Sequence, residues 1–283
     1  MVGRATAVGG LPLEFFERAV DVKKNAFPLL MLVLMSSVSV VYAAPGVPST
    51  IKWVYVLGHT HLDIGFTEPP ETVAEKQKTM TDGQISYAQS RPTYKWNIET
   101  TWTLEQWIKR SSPSDIFSFR YMVLGDRFGV AGSHSTMHSP KLGFEQVVRL
   151  LWNAQRYRNL YGFNVETVFH DDVPGVAWTY PQILARSGIK YLVCGENLFI
   201  GGGFTQPYDS YPFYWKGPDG SRVLTWSARN SYTEGFSNYG LPWISNVPVD
   251  QAKLETALTT LTNQGYPYDA VVVQQAFDNG VVG

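Results

Sequence analysis

The chain has 283 residues, 44% of them apolar and 14% aromatic, which supplies a packed core for one large domain or two small ones and excludes disorder for its bulk. Its 23 basic and 24 acidic residues leave a formal charge of −1, with no Lys/Arg cluster to neutralise a run of phosphates, so nucleic acid is a poor candidate partner. Cys194 is the single cysteine, which excludes an internal disulfide and leaves stability to the core.

From the start of the chain, residues 1–43 read as a secretory signal with a long n-region. Lys23-Lys24 precede an apolar run from Ala26 to Tyr42, and small residues follow at Ala43-Ala44, so cleavage is expected after Ala43. The product would be periplasmic or secreted, with no stable membrane association; an uncleaved membrane anchor is the second reading. Residues 44–50, with Pro45, Gly46 and Pro48, form an extended linker into the unit at 51–283.

Strands are expected at 51–57, 94–98, 126–131, 164–169, 189–194, 221–227 and 269–275, where β-branched and apolar residues run together. Helices are expected at 71–90, 101–110, 142–160, 180–187 and 249–264. In the third helix Val147, Leu150, Leu151, Ala154 and Tyr157 recur at three- and four-residue spacing and give one buried stripe. In the fourth, Pro181 falls in the first turn and Gly188 follows the end. This alternation predicts an α/β fold with a largely parallel sheet, either open or closed into a barrel. Eight residues follow the strand at 269–275, whereas such folds return a helix, so the unit is expected to be incomplete at its C-terminal side.

Chemistry-bearing residues gather at two strand ends. Gly58-His59-Thr60-His61-Leu62-Asp63-Ile64-Gly65-Phe66 ends the first predicted strand, and the two-residue period of a strand puts His59, His61 and Asp63 on one face. A neutral imidazole and a carboxylate converging there suit a divalent ion, zinc above all, with His59 supporting them from behind. The bland alternative is a set of polar caps bonding nearby backbone. His170-Asp171-Asp172-Val173-Pro174-Gly175 ends the strand at 164–169, on the same sheet edge if the strands are parallel. One of these two aspartates also suits a helix N-cap or an Asx-turn.

The chain resembles the N-terminal catalytic region of glycoside hydrolase family 38, the retaining α-mannosidases. His59-Thr60-His61-Leu62-Asp63-Ile64-Gly65 is similar to that family's His-x-His-x-Asp-x-Gly-Trp. Asp172-Val173-Pro174-Gly175, with Pro181-Gln182-Ile183-Leu184 and Ser187-Gly188-Ile189, is similar to its Asp-x-Phe-Gly segment and to the Pro-Gln-Ile-Leu helix and Gly-Ile strand after it. Trp96-Asn97-Ile98-Glu99, with Trp102 and Leu104, is a fainter echo. The resemblance spans roughly residues 51–195. It implies a barrel-like (β/α)7 parallel sheet with helices outside, one zinc ion, and an α-mannoside or related glycan as substrate.

Position by position, the resemblance implies that His61, Asp63 and Asp172 ligate zinc, that Asp172 is the nucleophile, and that Asp278 is the general acid. It implies a fourth ligand, a histidine, beyond Gly283. Phe66 stands where the family has Trp and keeps an aromatic platform for a sugar; Pro174 replaces the usual Phe. Asp171 is a reserve for either acid role and, with His134 and His138, a substrate-contact candidate. Two other readings compete. His134 and His138, spaced i, i+4, would join an aspartate at the metal of a polysaccharide deacetylase if they lay on a helix. Alternatively, the unit is a catalytically silent carbohydrate-binding fragment.

Overall fold

The runs read as strands all form strands, and three more appear, one ahead of them and two between them. In a computed structural model the described residues are 39–42, 50–195, 197, 211–242 and 247–280, with only the backbone described for 39–42, 229 and 230. The strands are β1 (Ser39–Tyr42), β2 (Trp53–Gly58), β3 (Trp96–Ile98), β4 (Phe128–Val130), β5 (Thr167–Asp171), β6 (Tyr191–Gly195), β7 (Pro212–Lys216), β8 (Arg222–Ser227), β9 (Arg229–Tyr232) and β10 (Ala270–Gln275). The helices are α1 (Pro70–Gln89), α2 (Thr101–Lys109), α3 (Pro113–Leu124), α4 (Phe144–Arg149), α5 (Trp152–Tyr161), α6 (Tyr180–Arg186), α7 (Glu234–Ser237) and α8 (Gln251–Asn263).

The helix expected over 142–160 divides into α4 and α5. The backbone N–H of His134 donates to the carbonyl of Leu150 at 2.7 Å, drawing that carbonyl out of the helical ladder where the two helices part. Four of the five stripe residues, Val147, Leu151, Ala154 and Tyr157, are buried, while Leu150, at the break, is partly exposed. The unexpected α3 has a full capping box, Ser112 with Asp115, and Pro113 in its first turn.

Parallel pairing dominates, but the expected seven-stranded barrel does not close. Among the described residues nine of the ten strands form three small sheets, ordered β1-β2-β10, β3-β4 and β5-β6-β8-β7, with antiparallel pairing in β1 with β2 and β7 with β8 and parallel pairing in the rest. Between the sheets, ladders give way to isolated bonds. Asn97 Nδ2 donates to the Gly58 carbonyl at 3.2 Å, Gly132 N–H to Thr167 O at 2.8 Å, and Ala276 N–H to Tyr232 O at 3.0 Å. Three-residue β3 and β4 are too short to carry a continuous ladder, and the Trp96 ring lies against Gly58, where a Cβ would come within 3.0 Å of it. The result is a mixed α/β unit with a common rim where strand C-termini gather.

Three apolar clusters hold it together. One joins β2, β8 and β10 to Leu254, Leu258 and Leu261 of α8; a second packs α2 and α3 on β3 and β4; a third packs α6 on β5 and β6, around buried Cys194. The leader and linker read over 1–50 lie outside the described residues except at 39–42 and 50, where β1 pairs with β2. Among the described residues no helix is long and apolar enough to cross a membrane.

Candidate active site

The C-terminal ends of β2, β5 and β10 meet at one rim, and their backbones fix what stands there. β2 and β10 pair in parallel from Trp53 opposite Ala270 to Gly58 opposite Gln275, and a further bridge joins His61 to Asp278. His61 N–H donates to Phe277 O at 3.0 Å and Asn279 N–H to His61 O at 2.8 Å. The Asn279 side chain then clasps Asp63, accepting its N–H at 3.3 Å and donating to its carbonyl at 2.9 Å. Across the rim, Asp171 ends β5 with its side chain buried, while Asp172 adopts a left-handed φ of 59°. An aspartate tolerates that region better than most residues, and here it lets neighbouring acids serve different environments. The turn is held by Asp172 N–H on Gly195 O at 2.8 Å and by Asn197 Nδ2 on Asp172 Oδ1 at 3.0 Å.

His61, Asp63 and Asp172 therefore converge. His61 Nε2 lies 3.9 Å from Asp63 Oδ1 and 3.7 Å from Asp172 Oδ2. A tetrahedral zinc with bonds of about 2.1 Å separates its donor atoms by about 3.4 Å, so each carboxylate oxygen stands within about 0.5 Å of that spacing from the His61 nitrogen, and donor atoms of all three residues lie within 4.8 Å of one another. Imidazole and carboxylate are the donor types zinc takes, and these residues fit the ion. The electrostatics agree. Burial pushes the Asp63 and Asp172 carboxyls up; His61 opposes this, and the Asp278 charge adds to the upward push. Burial works against charge on His61 too, but the charge and hydrogen bond of Glu99, with Asp171 and Asp63, raise it to about 10. The carboxylates thus hold the metal-free imidazole protonated, and a metal ion that displaced its Nε2 proton would take over the task of offsetting their charge.

Sequence reasoning left out several residues. Tyr232 stacks on His61 with ring centroids 4.4 Å apart and donates its hydroxyl to Asp278 Oδ1 at 2.5 Å, so one side chain touches both a metal-ligand candidate and the acid candidate. No motif marks it; it arrives from β9, a strand the sequence does not announce. Asn197 and Asn279 are equally unmarked, whereas Glu99 lay in the faint Trp-Asn-Ile-Glu echo and Asp278 in the segment expected to hold the acid. Asp278 itself is exposed.

Other expected residues take different places. His59 shares the strand face with His61 but lies behind the site, its Nε2 3.0 Å from Gln274 Oε1 and its ring 4.6 Å from that of Phe169; none of its hydrogen bonds reaches His61, Asp63 or Asp172. Asp171 is fully buried, with Oδ1 accepting from Gln274 Nε2 at 3.2 Å, so it does not present itself to a substrate as expected. It leaves no room beside it: a Cβ on Gly195 would come within 2.5 Å of Asp171 Oδ1 and 2.8 Å of Tyr232 N. Phe66 stands open to solvent at 85% exposure in the loop after β2. His134 and His138 sit in the irregular segment after β4 rather than on a helix, and among the described residues neither joins a group of three possible metal donors. His134 Nε2 lies 3.7 Å from a Glu105 oxygen instead. The deacetylase ligand set is thus not assembled, because the chain breaks into a loop where i, i+4 geometry was required.

Comparison with known proteins adds a family match and likenesses of fold. The model of the glycosyl hydrolases family 38 N-terminal domain matches residues 52–271, a span that includes His61, Asp63 and Asp172 and stops short of Asp278. Alpha-mannosidase G of Dictyostelium discoideum is 24% identical over 174 residues, covering 61% of this chain and 16% of that protein. An alpha-mannosidase from Enterococcus faecalis superposes with a TM-score of 0.62 at 15% identity, over 80% of this chain and 25% of the other. A 4-alpha-glucanotransferase from Thermococcus litoralis does so with a TM-score of 0.56 at 14% identity, over 79% and 33%. These superpositions speak for the fold alone, and the chain spans at most a third of each of these proteins; proteins named for different chemistries share the fold, so the site has to carry the function.

Proposed function

The chain belongs to glycosyl hydrolase family 38, and from that premise we propose that it cleaves α-mannosidic bonds with retention, with one zinc ion held by His61, Asp63 and Asp172. The observation that carries this reading is the convergence of those three donors at 3.7 and 3.9 Å, one strand away from an exposed aspartate. When bound there, a zinc ion would supply Lewis acidity toward substrate oxygens and would offset negative charge on the carboxylates that hold it.

The remaining work belongs to the side chains. Asp172, ionised and with Oδ1 fixed by Asn197, attacks the anomeric carbon; the bond to the leaving oxygen breaks as a glycosyl-enzyme ester forms. Asp278 delivers its proton to that oxygen. With Oδ1 engaged by the Tyr232 hydroxyl, Oδ2 is the oxygen left to hold and transfer the proton. In the second half Asp278 takes a proton from water, whose oxygen attacks the anomeric carbon from the side the leaving group vacated and releases Asp172. Two displacements at one carbon retain its configuration. Exposed Phe66 offers its ring to the apolar face of the sugar.

The test is to purify the protein, measure zinc, and follow an aryl α-mannoside by NMR. Release of the α-anomer first, with about one zinc per chain, is expected. Release of the β-anomer first, or release of acetate from an N-acetylated polymer without glycosidic cleavage, refutes the reading. Sugar binding with no turnover would assign the chain to the silent carbohydrate-binding class.

A further inference from the structure

Glu99 has both carboxylate oxygens committed to the turn that carries the metal-donor motif. It follows directly on β3 and precedes Thr100, whose Oγ1 caps α2 by accepting the Thr103 N–H at 3.2 Å, so a strand end and a helix start fix its backbone. The residue is 2% exposed. Oε1 lies 2.8 Å from His61 Nδ1, and Oε2 accepts the Leu62 N–H at 2.7 Å. One carboxylate thus joins the imidazole to the peptide that follows it and sets the ring's angle against its own backbone.

The consequence lies in the two nitrogens of the ring. A neutral imidazole carries its hydrogen on one nitrogen and can ligate only through the other. A carboxylate is purely an acceptor, so Glu99 keeps hydrogen on Nδ1, and Nε2, the nitrogen facing Asp63 and Asp172, is the one that gives up its proton to a cation. We propose that Glu99 is a positioning residue of the metal site, fixing the tautomer and orientation of His61 and thereby setting the site's affinity for zinc. This rests on the reading of His61, Asp63 and Asp172 as the ligand set.

A rival role for the same side chain is ligation of a second cation. Donor atoms of His59, Glu99 and Asp171 also lie within 4.8 Å of one another, and Asp171 Oδ2 is buried without a partner. The hydrogen bonds argue against it. His59 Nε2, the nitrogen 3.7 Å from Asp171 Oδ2, faces the Gln274 carbonyl oxygen at 3.0 Å and so bears hydrogen, which leaves the ring's lone pair on Nδ1, and each Glu99 oxygen already accepts a bond.

The experiment compares wild type with Glu99→Gln, Glu99→Ala and His61→Ala. It measures zinc stoichiometry and affinity by competition with a chelator, the melting temperature of the metal-free proteins, and the His61 tautomer by long-range nitrogen-proton NMR. Expected are one zinc in wild type, affinity weakened about 10- to 100-fold in Glu99→Ala, a smaller loss in Glu99→Gln, and loss of the uniform Nδ1–H tautomer in both. The glutamine variant is isosteric and keeps one acceptor, so it serves if the alanine variant does not fold. Unchanged zinc affinity in folded Glu99→Gln and Glu99→Ala, with only the metal-free melting temperature lowered, overturns the proposal. So do two zinc equivalents in wild type of which a Glu99 variant loses one. Absence of zinc from wild type, or zinc retained by His61→Ala, refutes the ligand set itself, which separates the two failures.

Discussion

Two layers of polar side chains lie at the same rim, each built around carboxylates and an imidazole, and their surroundings give them different tasks. The outer layer is Asp63, Asp172 and Asp278, with Asp278 exposed and the other two half-buried, and His61, only 2% exposed, reaches it from below. The inner layer is His59, Glu99, Asp171 and Gln274, none more than 2% exposed. The period of a strand sets His59 about 6.6 Å below His61, and the left-handed turn at Asp172 sends two consecutive acids into different layers. Inside, burial lowers His59, while burial and the Glu99 charge raise Asp171 well above the usual carboxylate range. That interior is a neutral hydrogen-bonded group, apart from the Glu99 and His61 pair. Outside, charge remains and repels charge. The comparison teaches that a sequence motif names the residues while depth decides which bind and which brace.

The largest expected effect breaks the outer layer at its centre. Asp172→Asn keeps a residue that accepts left-handed backbone and keeps an oxygen for Asn197, so the metal-free protein should melt near wild type. It removes the nucleophile, and kcat on an aryl α-mannoside should fall on the order of 10⁴-fold or more. A variant within tenfold of wild type would sink Asp172 in that role.

Next is removal of the ion. With zinc at 100 times its Kd, binding to the native state adds about 2.7 kcal/mol, which a chelator takes away. Calorimetry of wild type with and without chelator should show that loss, and Asp63→Asn should show little of it. If chelation leaves the melting temperature of wild type unchanged, the outer layer holds no cation.

Breaking the inner layer should do the reverse. Asp171→Ala strips the Gln274 amide of its acceptor and opens space, costing about 1–3 kcal/mol of stability, whereas Asp171→Asn, close to the neutral acid in shape, should cost under about 1 kcal/mol. Denaturant unfolding of the metal-free proteins measures both. Equal losses in the two variants would mean that Asp171 is charged in the fold and that the contrast between layers is wrong.

The seven strands of the expected sheet were legible because β-branched runs bounded by glycine leave few alternatives. β7 was not, since Pro212-Phe213-Tyr214-Trp215-Lys216 owes its strand to antiparallel pairing with β8, although Gly217-Pro218-Asp219-Gly220 signals the turn between them. The helix α3 had its signal in Ser112-Pro113-Ser114-Asp115, a capping box with a first-turn proline. At the site, the two motifs named the three converging donors because strand ends confine them to one rim. Tyr232 and Asn197 stayed invisible, as each is an ordinary polar residue whose role comes from a neighbour far away in sequence. The barrel was over-read: alternation of elements predicts parallel neighbours, but closure depends on ladder length, and three residues in β3 and β4 do not supply it.

The smallest effect lies furthest out, where stability and function should separate fully. Phe66 is 85% exposed and supports no core cluster, so Phe66→Ala should leave the melting temperature unchanged within error. Loss of one ring stacked on a sugar is worth about 1 kcal/mol, which predicts KM raised about fivefold with kcat nearly constant, since the contact is the same in ground and transition states. Steady-state kinetics on a mannoside would test this. A fall in kcat without a change in KM would make Phe66 part of the charge-bearing layer beneath it and not a platform above it.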